Sequence, residues 1–510
     1  MPAENLTANK TLAELLRGLG DAPGDAPQIF PGGISADSRT LKEGDVFLAC
    51  QGATAHGIDF LEQAIAANVA AIVWDSATTA NVERGLTSVP LIPVEGLAGH
   101  IGTIANRWFD TPSRSVRVAA VTGTNGKTTV AYLIAKCLQM LGQKCGYVGT
   151  LGSGLDDITG AGGMTTPACV EMNTLLAGFR DQGARRVAIE VSSHALQQNR
   201  TDGVYFDAAI FTNLTRDHID YHGDMRAYGE VKARLFLDND VQHRIICVDS
   251  KFGVQLADRC SGNVIAVSAD VERMSNGAAF VFVRGIETSA AGSKISFASS
   301  WGSAEIDLRL PGKFNVINAA EVLALLLAWG IPLDEACSVL GRVSAPPGRM
   351  ELVGSEQHEL LPAVYIDYSH TPASLDAALH ALRSHCAGKM WCVFGCGGDR
   401  DRGKRPLMGE IAMRLADHAI VTSDNPRSED PAQIIADITS GMGNDAVVIE
   451  DRRAAIAHAV SAAGSNDIVL IAGKGHENYQ IIGATREDFS DLETAEANLQ
   501  TRLHQVAARK

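Results

Sequence analysis

Gly123-Thr124-Asn125-Gly126-Lys127-Thr128-Thr129 follows an apolar run at 116–121 and precedes a helix-like segment at 130–140. Strand, tight loop and helix start, in that order, make a seat for phosphate. The glycines let backbone N–H groups approach phosphate oxygens, and Lys127 supplies a point charge. A hydroxyl from Thr128 or Thr129 can meet Mg²⁺, and the helix dipole adds to the attraction. Gly123 and Gly126 enclose fewer residues than the usual phosphate loop, so this is a short variant.

Two later apolar runs also end in chemistry. Residues 187–191 lead into Glu190-Val191-Ser192-Ser193-His194, and 208–212 lead into Thr212-Asn213-Leu214, Asp217-His218 and Asp220-Tyr221-His222-Gly223. In open α/β sheets ligands gather outside the carboxyl ends of strands, so these groups are expected at one rim with the phosphate loop. Glu190 and His218 could hold a divalent cation; the alternative is a pair of satisfied structural residues. The glycine-rich stretch 146–163, ending in Met164-Thr165-Thr166-Pro167, is either a substrate loop or a plain connector. Lys232, in a helical run at 225–237, reads on pattern alone as a solvated lysine. Asn315 and Asn318 open a helix at 316–329 and either cap it or read a base edge, capping being the simpler account. Asp37-Ser38-Arg39 reads as a polar turn with an Asx-type bond.

The elements that must position these groups are of α/β class. Residues 1–112 read as a small α/β domain, and 113–344 as strands alternating with helices, hence a mostly parallel sheet, with an antiparallel patch near 278–283, 294–298 and 304–310. After the stiff stretch Ser344-Ala345-Pro346-Pro347-Gly348-Arg349, residues 345–510 alternate again. Four strands there end in Asp367-Tyr368-Ser369-His370, Gly395-Cys396-Gly397-Gly398-Asp399-Arg400, Ser423-Asp424-Asn425-Pro426-Arg427 and Gly473-Lys474-Gly475-His476-Glu477. Any one of these could be a helix cap; together they argue for a binding rim.

Composition narrows the function classes. The 510 residues are 46% hydrophobic and 20% charged, which suits roughly three domains at about 150 residues each. A formal charge of -15 disfavours non-specific binding to nucleic acid or anionic membranes. Residues 1–20 have no signal-type apolar core, and no later run approaches the ~18 apolar residues of a membrane span, so a cytoplasmic protein is expected. The ten cysteines are scattered without a CxxC pair, which argues against a disulfide framework or a zinc site.

The 123–129 loop, Glu-Val-Ser-Ser-His at 190–194, Asn-Leu-x-x-Asp-His-x-Asp-x-His-Gly at 213–223 and the four C-terminal loops resemble the Mur ligases of peptidoglycan synthesis, in order and over nearly the whole chain. That resemblance implies an N-terminal domain for the UDP end of the substrate, a central P-loop ATPase and a C-terminal Rossmann-like domain for the amino acid. Gly123, Thr124, Asn125, Gly126, Lys127, Thr128 and Thr129 would bind ATP phosphates and Asn315 would face adenine. Thr128, Glu190 and His218 would ligate Mg²⁺. Lys232 falls where these ligases carry a carbamylated lysine, an anion able to bind a second Mg²⁺, and only the resemblance replaces the solvated reading. Lys127, Glu190, His218 and Lys232 would be the catalytic set. Thr165, Thr166, Ser192, Gln198 and Arg200, with Ser38, match positions contacting the UDP-N-acetylmuramoyl dipeptide. Two departures stand out: Met164 sits where some relatives have Asn, and Ala53-Thr54-Ala55 replaces a His-containing triplet.

Asp424, Asn425, Pro426 and Arg427 are similar to the motif of members that add meso-2,6-diaminopimelate rather than L-lysine; Arg400, Gly473 and Glu477 match further contacts. The chemistry agrees. Diaminopimelate carries a distal carboxylate that a guanidinium can grip in a fork, whereas a lysine ammonium would meet like charge. The implied partners are ATP, Mg²⁺, the UDP-dipeptide and meso-diaminopimelate, with no nucleic acid or membrane and a monomeric protein. A lysine-adding ligase, a folylpolyglutamate synthase and a P-loop regulatory NTPase are the competing expectations.

Overall fold

Alternation within short apolar strands builds the N-terminal part. In Asp45–Ala49, Val46 and Leu48 pack into one core with Leu12, Leu15, Val73, Ile104 and Trp108, while Phe47 and Ala49 pack on the other face with Ile72 and Trp74. Both faces are covered, so the strands are apolar throughout. Gly33–Ser35, Asp45–Ala49, Ala71–Asp75 and Leu91–Val94 form an all-parallel sheet in that order. Helix Leu12–Leu16 starts at a capping box between Thr11 and Glu14. The computed structural model describes residues 10–19, 28–52, 55–78, 89–160, 163–269, 279–289, 292–354, 360–443 and 446–507. Residues 1–9, Ala53, Thr54, 161–162 and 278, which figure in the sequence reading, lie outside the described residues.

Two compact units are formed, one of residues 1–127, 142–244 and 258–263, the other of 128–141, 245–257 and 264–510. In the first, strands run Ala208–Phe211, Arg117–Thr122, Arg186–Glu190 and Cys145–Gly149, side by side and parallel, with Gly152–Gly154 antiparallel at the edge. The register pairs Val121 with Glu190 and Thr122 with Phe211. Three strand ends named from the sequence therefore lie at one rim.

The second unit holds the expected antiparallel patch as Ala279–Ser289, Gly292–Ser299 and Gly302–Leu308. Its six-stranded sheet runs Glu351–Leu352, Ala363–Asp367, Ile468–Ala472, Met390–Phe394, His418–Val421, Val447–Val448, parallel except for the first pair. Asp367 pairs with Ala472, Ala472 with Phe394, and Phe394 with Val421, so the four predicted loops leave one edge together. Apolar cores cover both faces. Among the described residues no helix is long and apolar enough to cross a membrane.

Helix Lys313–Ala328 is buried nearly all round and carries one misfit, Glu321, which is 0% exposed with neither carboxyl oxygen hydrogen-bonded among the described residues. Burial first, then Asp249, push its carboxyl well above the usual 4.5. The folded state thus keeps a proton that the unfolded chain releases above the ordinary carboxylate range. Stability from this group is full below that range and is lost as pH rises through the folded value. Glu321→Leu is therefore expected to stabilise the protein by about 1–3 kcal/mol at pH 8, with a smaller gain at pH 5. Thermal unfolding at both pH values checks this; a gain that grew on acidification would contradict it.

Candidate active site

The phosphate loop is fixed by its neighbour strand. Gly123 sits at φ +151°, where a Cβ would strike the Thr212 side chain and come within 3.0 Å of Asn213 backbone atoms; Gly126 is at φ +88°. Thr124 N donates to Asn213 O (2.9 Å), Asn125 N to Asn213 Oδ1 (3.0 Å), and Thr212 Oγ1 to Asn125 O (2.6 Å). Lys127 Nζ donates back to the carbonyls of Gly123 and Thr124, both at 2.9 Å, so the loop holds the ammonium over its own concavity. Helix Lys127–Met140 begins at that residue, earlier than the sequence reading placed it, and Thr128 and Thr129 are buried in its first turn.

Lys232 overturns the solvated reading. It lies in helix Met225–Leu237, is 1% exposed, donates to Gly123 O at 2.8 Å and stands 4.6 Å from the Tyr228 ring centre. Tyr228 OH in turn donates to Thr124 Oγ1 (3.3 Å). Burial first, then the charge of Lys127, hold the Lys232 amine well below the usual 10.5, with Asp217 opposing. Both effects disfavour the charged form of this amine beside the phosphate loop.

Glu190 is wholly buried at its strand end. Its Oε1 accepts from Tyr147 OH (2.5 Å) and Thr150 N (2.9 Å), and its Oε2 from Thr150 Oγ1 (3.1 Å). Both oxygens thus act as acceptors, and a carboxylate so placed is a hard oxygen ligand of the kind Mg²⁺ takes. His218 has a left-handed backbone (φ +51°) at the start of helix Ile219–His222, and its ring meets that of His194 at 4.8 Å between centres. The His194 ring centre also lies 4.2 Å from that of Tyr221, tilted, and 5.6 Å from that of His222, edge-on. Burial, then His218 and His222, lower the His194 pKa. The sequence reading expected His194, His218 and His222 at one rim but did not foresee that their rings would touch. No three His, Cys, Asp or Glu side chains among the described residues form a metal cage. A cation there would be shared with phosphate oxygens, as Mg²⁺ prefers.

The residues matched to the UDP-dipeptide form one chain of contacts, Ser38 excepted. Thr166 Oγ1 donates to Glu190 O (2.8 Å) and accepts from Ser192 N (3.0 Å), while Ser192 Oγ caps helix Ser193–Gln197 through Ala195 N (3.1 Å). Arg200 Nη1 donates to Thr166 O (3.0 Å) and its Nε to Gln198 Oε1 (2.9 Å); Thr165 and Thr150 hydroxyls lie 3.3 Å apart. Ser38 makes no side-chain bond to any of them among the described residues. Asp37 does form the expected Asx bond, accepting from Arg39 N at 2.9 Å.

In the second unit the capping account of Asn315 fails. Helix Lys313–Ala328 has no side-chain cap; Asn315 Nδ2 donates to Pro311 O (2.8 Å), and its Oδ1 accepts from Asn318 Nδ2 (3.0 Å).

At the C-terminal rim Asp424, Asn425, Pro426, Arg427, Gly473 and Glu477 come together with Arg400. Arg427 has a left-handed backbone (φ +52°) held by the hairpin Tyr479–Ile482 and Thr485–Asp488: its N–H donates to Ile481 O (3.0 Å) and its carbonyl accepts from Gly483 N (2.7 Å). Its Nη1 donates to Gly398 O (2.8 Å). A Cβ on Gly397 would meet Arg427 Nη1 at 2.8 Å and Arg400 Cγ at 3.9 Å, so the Arg427 guanidinium and the aliphatic stem of Arg400 flank one glycine. Asn425 Nδ2 donates to Glu477 Oε2 (2.8 Å). A Cβ on Gly473 would stand 2.7 Å from Asp424 Oδ2. Buried Arg452 ties the rim from beneath, forking onto Asp491 with two 2.7 Å bonds and donating to Ala472 O at 3.0 Å.

A P-loop rim with a buried carboxylate at a strand end and a buried lysine on helix Met225–Leu237, and a doubly wound sheet whose rim carries arginines and carboxylates, are parts that suit a ligase activating an acid with ATP. Sequence comparison agrees: the Mur ligase family catalytic domain matches residues 32–109, the Mur ligase middle domain 121–326, and the Mur ligase glutamate ligase domain 348–475. The chain belongs to the Mur ligase family, whose members are ATP-dependent, ADP-forming amide ligases. A UDP-N-acetylmuramoyl-L-alanyl-D-glutamate–2,6-diaminopimelate ligase of Pseudomonas putida is 43% identical over 477 residues, covering 91% of this chain and 94% of its own. The ligase of the same name from Alkalilimnicola ehrlichii is 44% identical over 476 residues, covering 92% and 95%. A solved structure of that name, 32% identical, superposes with a TM-score of 0.71 over 97% of this chain and 99% of its own.

Proposed function

We propose that the chain joins meso-2,6-diaminopimelate to UDP-N-acetylmuramoyl-L-alanyl-D-glutamate at the expense of ATP, as a cytoplasmic, monomeric enzyme of peptidoglycan precursor synthesis serving cell shape and division. The observation that carries the reading is the convergence of Arg427, Arg400, Asp424 and Glu477 at one rim, in a chain whose relatives of 43–44% identity bear that name. The D-glutamyl side-chain carboxylate is a poor acylating agent, since its leaving group would be oxide. Its oxygen attacks the γ-phosphorus of ATP, ADP departs, and an acyl phosphate remains. The diaminopimelate amine then attacks the acyl carbon, phosphate departs, and the nitrogen loses a proton. Lys127 neutralises the transferring phosphoryl, and Asn315 is the adenine-side residue. Thr128, Glu190, His218 and a carbamylated Lys232 would hold Mg²⁺, which supplies Lewis-acid charge on the phosphates. Phosphate release by the purified protein is expected only when ATP, the UDP-dipeptide and diaminopimelate are all present; release with ATP alone at the same rate would favour the NTPase reading.

Buried Lys232, whose pKa is lowered by burial and by Lys127, suits attack on CO₂ from its uncharged form: the C–N bond forms, one proton leaves, and a carbamate anion replaces the amine. Activity is expected to fall several-fold in CO₂-depleted buffer and to return with bicarbonate, with a ¹³C carbamate signal from ¹³CO₂ that is absent in Lys232→Met. Indifference to CO₂ together with no such signal would remove the carbamate.

A further inference from the structure

Lys474 has no role in the account so far. It lies between two glycines in the loop after strand Ile468–Ala472, and its side chain is 0% exposed. Its three ammonium protons face three acceptors: Asn425 Oδ1 at 3.1 Å, Asp424 Oδ1 at 3.5 Å and Glu477 Oε2 at 3.5 Å. The Tyr479 ring centre stands 5.7 Å away on the hairpin. A buried ammonium is tolerated only when so surrounded.

The same contacts decide which atoms remain for a ligand. Glu477 Oε2 already takes Asn425 Nδ2 and Lys474, while Oε1 has no protein partner among the described residues. Asn425 cannot flip, because its Oδ1 also accepts from Ile481 N at 3.0 Å. Asp424 keeps its Oδ2 against the bare Cα of Gly473. Two carboxylates set against one ammonium leave a single negative charge, which matches one substrate ammonium.

We propose that Lys474 is a positioning residue for the amino-acid substrate: its ammonium locks Asp424, Asn425 and Glu477 into one preformed acceptor set that takes a single substrate ammonium. This rests on the diaminopimelate reading of the rim. Removing the ammonium takes away the donor shared by Asn425 Oδ1, Asp424 Oδ1 and Glu477 Oε2 and leaves two carboxylates facing each other, so they separate and the preformed acceptor set is lost.

The test uses Lys474→Met and Lys474→Gln, assayed by phosphate release beside Arg427→Ala, with KM measured for all three substrates. Gln can still donate to Asn425 Oδ1 but carries no charge, and it bears the test alone if the Met variant does not fold. Both variants are expected to raise KM for diaminopimelate at least 10-fold and to leave KM for ATP and for the UDP-dipeptide within about twofold, a split that general loosening would not produce. An unchanged diaminopimelate KM, an equal rise in all three, or full recovery by Gln would overturn the proposal. If Arg427→Ala raises the diaminopimelate KM while the Lys474 variants do not, only the role of Lys474 falls. If Arg427→Ala is also without effect, the rim is not the diaminopimelate site.

Discussion

Arg427→Ala is expected to lower kcat/KM for meso-diaminopimelate by about 30- to 1000-fold, corresponding to the ~2–4 kcal/mol of a truncated charge pair in a partly buried site. Use of L-lysine, which lacks the distal carboxylate, should change little, so any preference between the two collapses. A non-glycine residue in the left-handed region carries strain that its surroundings must over-determine, and the hairpin does so through Ile481 and Gly483. With Nη1 given to Gly398 O, Nε and Nη2 have no protein acceptor among the described residues. That pair is the fork a distal carboxylate fits. Paired kinetics on both amino acids decide it: an unchanged ratio of kcat/KM values would contradict the assignment.

Lys127→Met carries the second large effect. The ammonium is held at 2.9 Å from two loop carbonyls, within a short swing of any phosphate lying on the loop. Charge that develops on the transferring phosphoryl then meets a preorganised cation rather than water. Its loss is expected to cost about 10³-fold in kcat for phosphate release, with a midpoint of thermal unfolding close to wild type, since the side chain makes no apolar core. A variant within tenfold of wild-type kcat would remove Lys127 from the chemistry.

Periodicity and strand-end loops made the two rims legible because they are local patterns: the apolar run before Gly123, the polar residues after Glu190, the four C-terminal loops. What escaped depends on contacts distant in sequence. Lys232 reads as surface by residue type, yet it stands four residues after Tyr228 and four before Phe236, both buried. Its helical face was the available signal, outweighed by the general exposure of lysine. Asn315 could be placed in a first helical turn, but only the backbone path through Pro311 shows that its amide turns back rather than capping. The hairpin Tyr479–Asp488 has no buried position in either strand, so no period-two burial pattern announces it. Lys474 needed the fold itself: nothing in Gly-Lys-Gly indicates that three acceptors will surround the ammonium.

The most direct measurement labels the side-chain carboxylate of the D-glutamyl residue with ¹⁸O and follows the label during turnover with ATP and diaminopimelate. Ligation through an acyl phosphate requires one ¹⁸O in every phosphate released, with the other retained in the new amide. Phosphate carrying no label, its oxygen drawn from water, would mean that ATP is hydrolysed without activating the acid.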